Sequence, residues 1–564
     1  MEALDWLVIG VFFLALIGII VWVVRQKQND SADYFLGGRD ATWLAIGASI
    51  FASNIGSEHL IGLAGAGASS GMAMAHWEIQ GWMILILGWV FVPFYTRSMV
   101  YTMPEFLERR YNPQSRTILS VISLVSYVLT KVAVTVYAGG LVFQQVFGIK
   151  ELWGIDFFWI AAIGLVVLTA LYTIFGGMKS VLYTSVLQTP ILLLGSLIIL
   201  VLGFKELGGW DEMMRVCGAV TVNDYGDTMT NLIRSNDDAN FPWLGALIGS
   251  AIIGFWYWCT DQFIVQRVLS GKNEMEARRG TIFGAYLKLL PVFLFLIPGM
   301  IAFALHQKYI GAGGEGFLPM LENGTANADA AFPTLVAKLL PAGVKGLVVC
   351  GILAALMSSL ASLFNSSAML FTIDFYKRFR PQTSEKKLVG IGQVATVVIV
   401  ILGILWIPIM RSVGDVLYTY LQDVQSVLAP GIAAAFLLGI CWKRTSAQGG
   451  MWGLISGMVI GLPRLGAKVY YSNAGEVADS TFKYLFYDMN WLFFCGWMFL
   501  FCIIVVIVVS LATEAPTAEK IQGLVFGTAT KEQKASTRAS WNHWDIIHTV
   551  IILAITGAFY WYFW

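Results

Sequence analysis

Strongly polar side chains interrupt a long apolar stretch near the start of this 564-residue chain. Residues 41–70 are apolar enough at both ends to span a bilayer, but their middle holds Ser53, Asn54, Gly56, Ser57, Glu58 and His59. An ionisable side chain at mid-bilayer costs about 2.5 kcal/mol or more, and unpaired backbone groups there are also costly. The break should therefore face protein or water, where side chains and freed carbonyls could bind an ion or a polar solute.

Polar groups also lie within other apolar segments. They include Glu78 in AHWEIQGW, Asp261 after the aromatic run at Trp256, Tyr257 and Trp258, Lys288 in YLKLLP, Ser358, Ser362 and Ser366 on one helix face, and Gln422, Asp423 and Gln425. The group Asn54, His59, Glu78, Lys288 and Gln422 comes from five different spans. Together with a flat aromatic surface, such a set suits a neutral polyhydroxylated solute, because each hydroxyl both donates and accepts.

Each of these features also has a structural interpretation. The serines could serve close helix packing, and the aromatic run could be an interfacial belt. Glu78 could reach the headgroups, Lys288 could snorkel, and His59 alone could be a satisfied core group. Asp261 and Arg267 are better explained as structural or inner-surface groups than as ligands.

The composition is typical of an integral membrane protein. Apolar residues make up 57% and charged residues 13%, against about 25% charged in soluble domains. The mean hydropathy is +0.71. A net charge of +1 makes nucleic acid an unexpected partner, and the 6 cysteines lack metal-ligand spacing.

The chain has fourteen apolar segments long enough to span a bilayer. They lie near residues 4–24, 41–70, 76–96, 117–147, 153–174, 180–203, 242–265, 280–306, 342–373, 387–410, 413–441, 447–469, 489–512 and 542–564. Placing both termini outside puts most of the 36 Lys and Arg residues in inner loops, as the positive-inside rule requires. We therefore expect a multi-pass protein of the plasma membrane, with residues 513–540 forming a polar inner linker and a surface helix.

Seven stretches resemble the sodium/solute symporter family, and most closely its sodium/glucose cotransporter branch. They are DYFLGGR (33–39), ASNIGSEHLIGLAGAGA (52–68), YTMPEFLERRY (101–111), WYWCTDQFIVQR (256–267), YLKLLP (286–291), LMSSLASLFNSSAMLFTIDFY (356–376) and FLLGICWKR (436–444). The WYWCTDQ and IVQR elements are marks of the sugar and inositol branch.

The resemblance implies an all-α, LeuT-like fold with a core of two five-helix inverted repeats. The predicted units are an extra helix and inner loop (1–40), the first repeat (41–203), an outer loop (204–241), the second repeat (242–441) and extra C-terminal helices (442–564). The first helix of each repeat should be broken near the membrane centre. Residues 52–59 agree with the first break, and the second is expected before Tyr257, where Gly254 is its only local sign.

The resemblance also implies site residues. The sugar site is similar at Asn54, His59, Glu78, Tyr257, Trp258, Lys288 and Gln422. The sodium site is similar at the carbonyls of Ala52, Ile55 and Ala355 and the hydroxyls of Ser358 and Ser359. Leu63 and Tyr418 match outer-gate positions, and Tyr257 matches the residue that closes the sugar site from inside.

Three positions depart from the family pattern. Gly254 stands where sugar-transporting relatives place a polar Asn or Thr, and Gln425 where a smaller Thr is common. Ser185 replaces an aspartate often found there, which weakens a second sodium site and predicts one sodium per solute.

The sequence thus predicts a sodium-coupled symporter that imports a neutral hexose by alternating access, and no enzyme activity. A sodium/myo-inositol or other polyol symporter is the main alternative. A receptor or sensor would need a signalling domain, a channel would need a repeated polar lining, and an anion carrier would need an arginine in the site.

Overall fold

The computed structural model describes residues 1–26, 30–56, 58–321, 324–410, 417–473 and 478–564, and these are almost entirely helical. Within them, 10 helices are long and apolar enough to cross a membrane, and the shorter apolar helices Trp43–Asn54 and Ala133–Gln144 accompany them. Every one of the fourteen predicted segments overlaps a helix. The protein is therefore a multi-pass membrane protein with about 10 long apolar helices, and the count of fourteen spans stays a prediction.

The first half of the chain forms helices joined by short turns. The α-helices are Ala3–Val24, Ser31–Leu36, Trp43–Asn54, Ala64–Ser70, Ala75–Glu78, Gly81–Ile86, Val92–Ser98, Met103–Arg110, Pro113–Ser126, Ala133–Phe147, Phe157–Leu207 and Trp210–Gly218. Between them lie π-helical turns at Glu58–Leu63, Leu87–Phe91 and Tyr127–Val132 and 3₁₀ turns at Gly37–Arg39 and Gly71–Met74. One short antiparallel hairpin pairs Glu151–Leu152 with Ile155–Asp156.

The second half of the chain also consists of helices joined by turns. Its α-helices are Trp243–Gly254, Gln262–Leu269, Glu274–Lys288, Ile297–Gly311, Ala331–Leu339, Val344–Met369, Lys377–Phe379, Glu385–Met410, Leu417–Cys441, Ala447–Asn473, Thr481–Lys483, Trp491–Ala512, Ala518–Ile521, Lys531–Ala539 and His543–Tyr562. The π-helical turns are Phe255–Thr260, Val292–Leu296, Leu370–Tyr376 and Tyr484–Asp488, and Ala328–Ala330 is a 3₁₀ turn. The predicted surface helix of the inner linker is Lys531–Ala539, which has no buried residue and begins with a capping box at Thr530.

The predicted first break is confirmed. Helix Trp43–Asn54, here called the broken helix, ends where Ile55 turns to an extended conformation with φ −82° and ψ 104°. The chain resumes as a π-helical turn at Glu58. A helix leaves its last carbonyls without intrahelical donors, so this end can present backbone oxygens to a bound cation.

The predicted position of the second break is wrong. Gly254 keeps an ordinary helical conformation, and helical structure continues as a π-helical turn through Thr260. The extended residue is Asp261, with φ −77° and ψ 127°, which also caps the next helix through a hydrogen bond from the backbone of Phe263. The interruption therefore follows Tyr257 and Trp258, because a carboxylate that caps Gln262–Leu269 fixes where the new helix begins.

A kink separates two of the predicted spans. Segments 153–174 and 180–203 form one helical element, Phe157–Leu207, that bends at Gly177 with φ 53°. A Cβ on Gly177 would lie 2.5 Å from the carbonyl oxygen of Tyr34. Both the positive φ and this close approach require glycine.

Candidate functional site

One cavity brings together all seven side chains predicted to bind the solute. It has a volume of about 620 Å³ including its open mouth, and its lining includes Asn54, His59, Glu78, Tyr257, Trp258, Lys288 and Gln422. Of this volume, about 60 Å³ can hold the centre of a water-sized sphere, so the lining side chains stand close together. These seven residues come from six helical elements, so the packing of distant segments brings them together.

A buried ion pair lies at the centre of this set. The ammonium of Lys288 donates to the carboxylate of Glu78 over 2.6 Å, and both side chains are almost fully buried. Lys288 also lies 5.3 Å from the ring centre of Trp258. Neither charge could be removed alone without leaving the other buried and uncompensated.

His59 connects this pair to the break that follows the broken helix. Its Nε2 lies 3.4 Å from Glu78 Oε2 and 3.2 Å from Asn54 Nδ2. A protonated ring would donate to Glu78, whereas a neutral ring could accept from Asn54. Asn54, His59 and Glu78 thus form one polar wall at the end of the broken helix.

Aromatic rings form another part of the lining. Tyr257 and Trp258 pack edge to face with ring centres 4.9 Å apart, and Trp77 and Phe263 also line the cavity. Flat apolar faces beside hydrogen-bonding groups are suited to a solute ring that has both polar edges and apolar faces.

The two glutamines of helix Leu417–Cys441 complete the lining. Gln422 and Gln425 are both 7% exposed. The Oε1 of Gln422 is buried and has no hydrogen-bond partner among the described residues, so it is free to accept from a bound hydroxyl. Of the predicted outer gate, Leu63 is fully buried, whereas the side chain of Tyr418 lies outside the described residues.

The five residues predicted to bind sodium lie on two adjacent helices. Ala52 and Ile55 are at the end of the broken helix, and Ala355, Ser358 and Ser359 lie on Val344–Met369, here called the serine helix; all five are buried. A hydrogen bond of 2.6 Å between Ser53 Oγ and Ser362 Oγ joins the two helices. Ser359 also lines the solute cavity, so the two sets of residues adjoin each other.

Ser185 lies beside the predicted sodium residues. Its hydroxyl donates to the carbonyl of Val181 over 2.6 Å. Its oxygen lies 3.3 Å from Ser358 Oγ and 3.5 Å from Ser49 Oγ. All the side-chain oxygens in this group are neutral hydroxyls. A carboxylate, the usual group for offsetting a buried cation's charge, is not among them.

Sequence reasoning missed a second buried ion pair at the cavity. Lys131 lines the cavity and donates to Asp261 over 2.6 Å, while Tyr127 donates to the other carboxylate oxygen of Asp261. Lys131 also lies 4.8 Å from the ring centre of Tyr257. The position of Lys131 within an apolar span indicated that it needs a buried partner. The sequence could not identify that partner, because Asp261 is 130 residues away.

Polar residues that follow Asp261 form hydrogen bonds to neighbouring elements. Gln262 accepts from the backbone of Met103 over 2.8 Å, and Gln266 donates to the carbonyl of Phe35 over 2.7 Å. Ser366 of the serine helix donates to Gln266 over 2.7 Å. The polar residues after the aromatic run thus connect three elements.

Comparison with known proteins gives one family for most of the chain. A family model described as the sodium:solute symporter family matches residues 34–457. The chain is 36% identical over 542 residues to sodium/myo-inositol cotransporter 2 of Homo sapiens, covering 94% of this chain and 79% of that relative. It is 36% identical over 560 residues to sodium/glucose cotransporter 4 of Danio rerio, covering 96% and 84%.

A solved structure shares the fold. It is the substrate-bound, outward-open state of a Na⁺-coupled sialic acid symporter, with a TM-score of 0.72 and 22% sequence identity. The superposition covers 92% of this chain and 99% of that one. The likeness concerns the helical architecture.

Proposed function

The chain belongs to the sodium:solute symporter family and is a sodium-coupled solute symporter, and on that premise we propose that it imports a neutral hexose such as glucose or galactose. The observation that carries the proposal is the cavity itself, in which both lining lysines are paired with carboxylates. Lys288 pairs with Glu78 and Lys131 with Asp261. With its lysines neutralised in this way, the cavity favours a neutral solute over an anion.

The hydrogen-bonding groups fit hydroxyls. Asn54, Glu78 and Gln422 present amide and carboxylate groups, and Tyr257 and Trp258 offer ring faces. A pyranose could place its hydroxyls against the first group and one apolar face against an aromatic ring. We assign the solute site to these five residues together with His59 and Lys288.

Sodium would bind between the broken helix and the serine helix. Its ligands would be the carbonyls of Ala52, Ile55 and Ala355 and the hydroxyls of Ser358 and Ser359. Such a site exists only when the two helices are close together, so sodium shifts the protein toward that arrangement by its differential affinity. Because Ser359 also lines the cavity, bound sodium would stabilise the solute site next to it.

Transport would follow from two inverted repeats, residues 41–203 and 242–441, that rock around this site. Leu63 and Tyr418 would close it from outside and Tyr257 from inside. With both termini outside a plasma membrane, the inward sodium gradient drives import. A membrane potential of 100 mV supplies about 2.3 kcal/mol per charge. A tenfold gradient adds about 1.4 kcal/mol, so one sodium could sustain accumulation of roughly 500-fold.

A polyol is the second candidate solute. Several relatives of this chain are named sodium/myo-inositol cotransporters, and a cyclitol presents the same hydroxyl chemistry as a hexose. Gly254 and Gln425, where the family pattern has other residues, lie in the cavity lining and would reshape it for either solute.

Uptake by purified protein in proteoliposomes separates these candidates. An inward sodium gradient would be imposed, and radiolabelled D-glucose, D-galactose, myo-inositol, L-proline and sialic acid would be compared. We expect saturable uptake of a hexose that the other hexose inhibits. Uptake of myo-inositol alone would select the second candidate, and uptake of only proline or sialic acid would refute both.

A further inference from the structure

Gln80 lies at an interruption of the helix that carries Glu78. Helix Ala75–Glu78 ends two residues before it, and helix Gly81–Ile86 begins directly after it. Gln80 itself has φ −82° and ψ 24°, outside regular α-helical geometry. This turn brings its side chain against helix Trp243–Gly254, and Gln80 is 2% exposed.

One hydrogen bond fixes the orientation of the Gln80 amide. Its Nε2 donates to the backbone carbonyl of Ser250 over 2.8 Å. A carbonyl oxygen only accepts, so the nitrogen must face Ser250 and the oxygen must face away from it. Among the residues that the structure describes, no donor to Oε1 is found, and Gln80 lines the solute cavity.

The same amide explains why residue 254 is glycine. Gly254 has φ −62° and ψ −40°, which any residue adopts in a helix. A Cβ there would contact Oε1 of Gln80 and would lie 2.9 Å from its Cδ and 3.0 Å from its Nε2. The glycine is thus required by the Gln80 side chain and not by its own backbone.

We propose that Gln80 determines solute specificity, because its Oε1 accepts a hydrogen bond from one solute hydroxyl. Oε1 fills the space that a side chain at position 254 would occupy. The inference rests on the proposed function and adds to it an acceptor that the seven assigned residues do not include. This acceptor requires that the part of the solute facing Gln80 carry an O–H group. A ring oxygen or a deoxygenated carbon placed there would leave Oε1 unpaired.

Paired substitutions test whether the two positions share one role. Gln80→Leu removes the acceptor and should raise the half-saturating concentration of the carried solute, D-glucose or myo-inositol, about tenfold to hundredfold. Gly254→Asn alone should impair uptake, because the new side chain collides with Gln80. Gln80→Ala combined with Gly254→Asn should lower the half-saturating concentration at least tenfold relative to Gly254→Asn alone. In the double variant, the asparagine amide reaches the same space from the neighbouring helix.

Solute analogues separate recognition from a purely structural role. Single-deoxy analogues of the carried solute would compete against it in wild type and in Gln80→Leu. One analogue should bind about tenfold more weakly than its parent in wild type and as well as its parent in Gln80→Leu. If every analogue lost the same factor in both proteins, Gln80 would contact no solute hydroxyl and the inference would be wrong.

Failure of the inference is distinct from failure of the proposed function. Wild-type protein that takes up neither hexose nor inositol would refute the proposed function itself. Normal wild-type uptake with an unchanged half-saturating concentration in Gln80→Leu would refute only the role of Gln80.

Discussion

The ammonium of Lys288 lies 2.6 Å from the carboxylate of Glu78, although the two residues are 210 positions apart in sequence. The pair gives the cavity a strong donor and a strong acceptor without a net charge. It also makes each side chain depend on the other, because truncating one leaves an uncompensated buried charge.

The first prediction concerns the solute residues. Glu78→Ala and Gln422→Ala should each raise the half-saturating solute concentration about tenfold to hundredfold, because removing one buried hydrogen-bond partner costs about 1–3 kcal/mol. Glu212, which does not line the cavity, and the exposed Gln307 provide matched controls, and alanine there should leave uptake unchanged. Unchanged half-saturating concentrations in both cavity variants would remove these residues from the site.

The second prediction concerns coupling. Ser359→Ala should raise the sodium concentration needed for half-maximal uptake far more than it changes solute affinity at saturating sodium, because the proposed site loses one of its five oxygens. Ser367→Ala is the matched control, since this hydroxyl is buried on the same helix without a partner among the described residues. Equal sodium dependence in both variants would contradict the assignment.

The third prediction is a stoichiometry of one sodium per solute. The position where the family pattern has an aspartate holds Ser185, whose hydroxyl lies 3.3 Å from Ser358 Oγ. A second buried sodium would need a carboxylate to offset its charge. The voltage at which net solute flux vanishes, measured at known sodium and solute gradients, should match one sodium. A null voltage that matches two sodium ions per solute would contradict this prediction and show that neutral hydroxyls can bind a second sodium.

The fourth prediction concerns the buried pair Lys131 and Asp261. Lys131→Ala or Asp261→Ala should lower the free energy of unfolding by about 3–5 kcal/mol. The double variant should cost less than the sum of the two single changes. Thermal unfolding of each variant in detergent measures these losses in the free energy of unfolding. The surface pair Glu212 and Arg215 is the control, and its removal should change the free energy of unfolding far less than removal of the buried pair. Strictly additive losses for Lys131 and Asp261 would mean that the pair contributes no coupling.

Much of the cavity could be predicted because polar groups inside apolar spans are conspicuous. Glu78 and Lys288 each needed a buried partner, and the broken helix showed its own polar centre at Asn54 and His59. The resemblance to a known family supplied Tyr257 and Trp258, which composition alone would have assigned to either a core or an interface.

The rest depended on contacts between distant segments. The pairing of Lys131 with Asp261 and the filling of the space beside Gly254 by Gln80 follow from helix packing, which no local pattern specifies. The second break was misplaced for a related reason. Gly254 looked like a helix breaker, but it is a packing position, and the capping carboxylate of Asp261 ends the helical stretch.

Sodium-driven accumulation tests the central claim most directly. Proteoliposomes containing the protein would be given an inward sodium gradient and radiolabelled solute, and matched vesicles would receive choline with an inward proton gradient. We predict that the internal solute concentration transiently exceeds the external one with sodium and that choline with a proton gradient gives no such excess. Glu78→Ala should need about tenfold to hundredfold more external solute to reach half-maximal sodium-driven uptake. Equal accumulation in choline medium would contradict sodium coupling through this site.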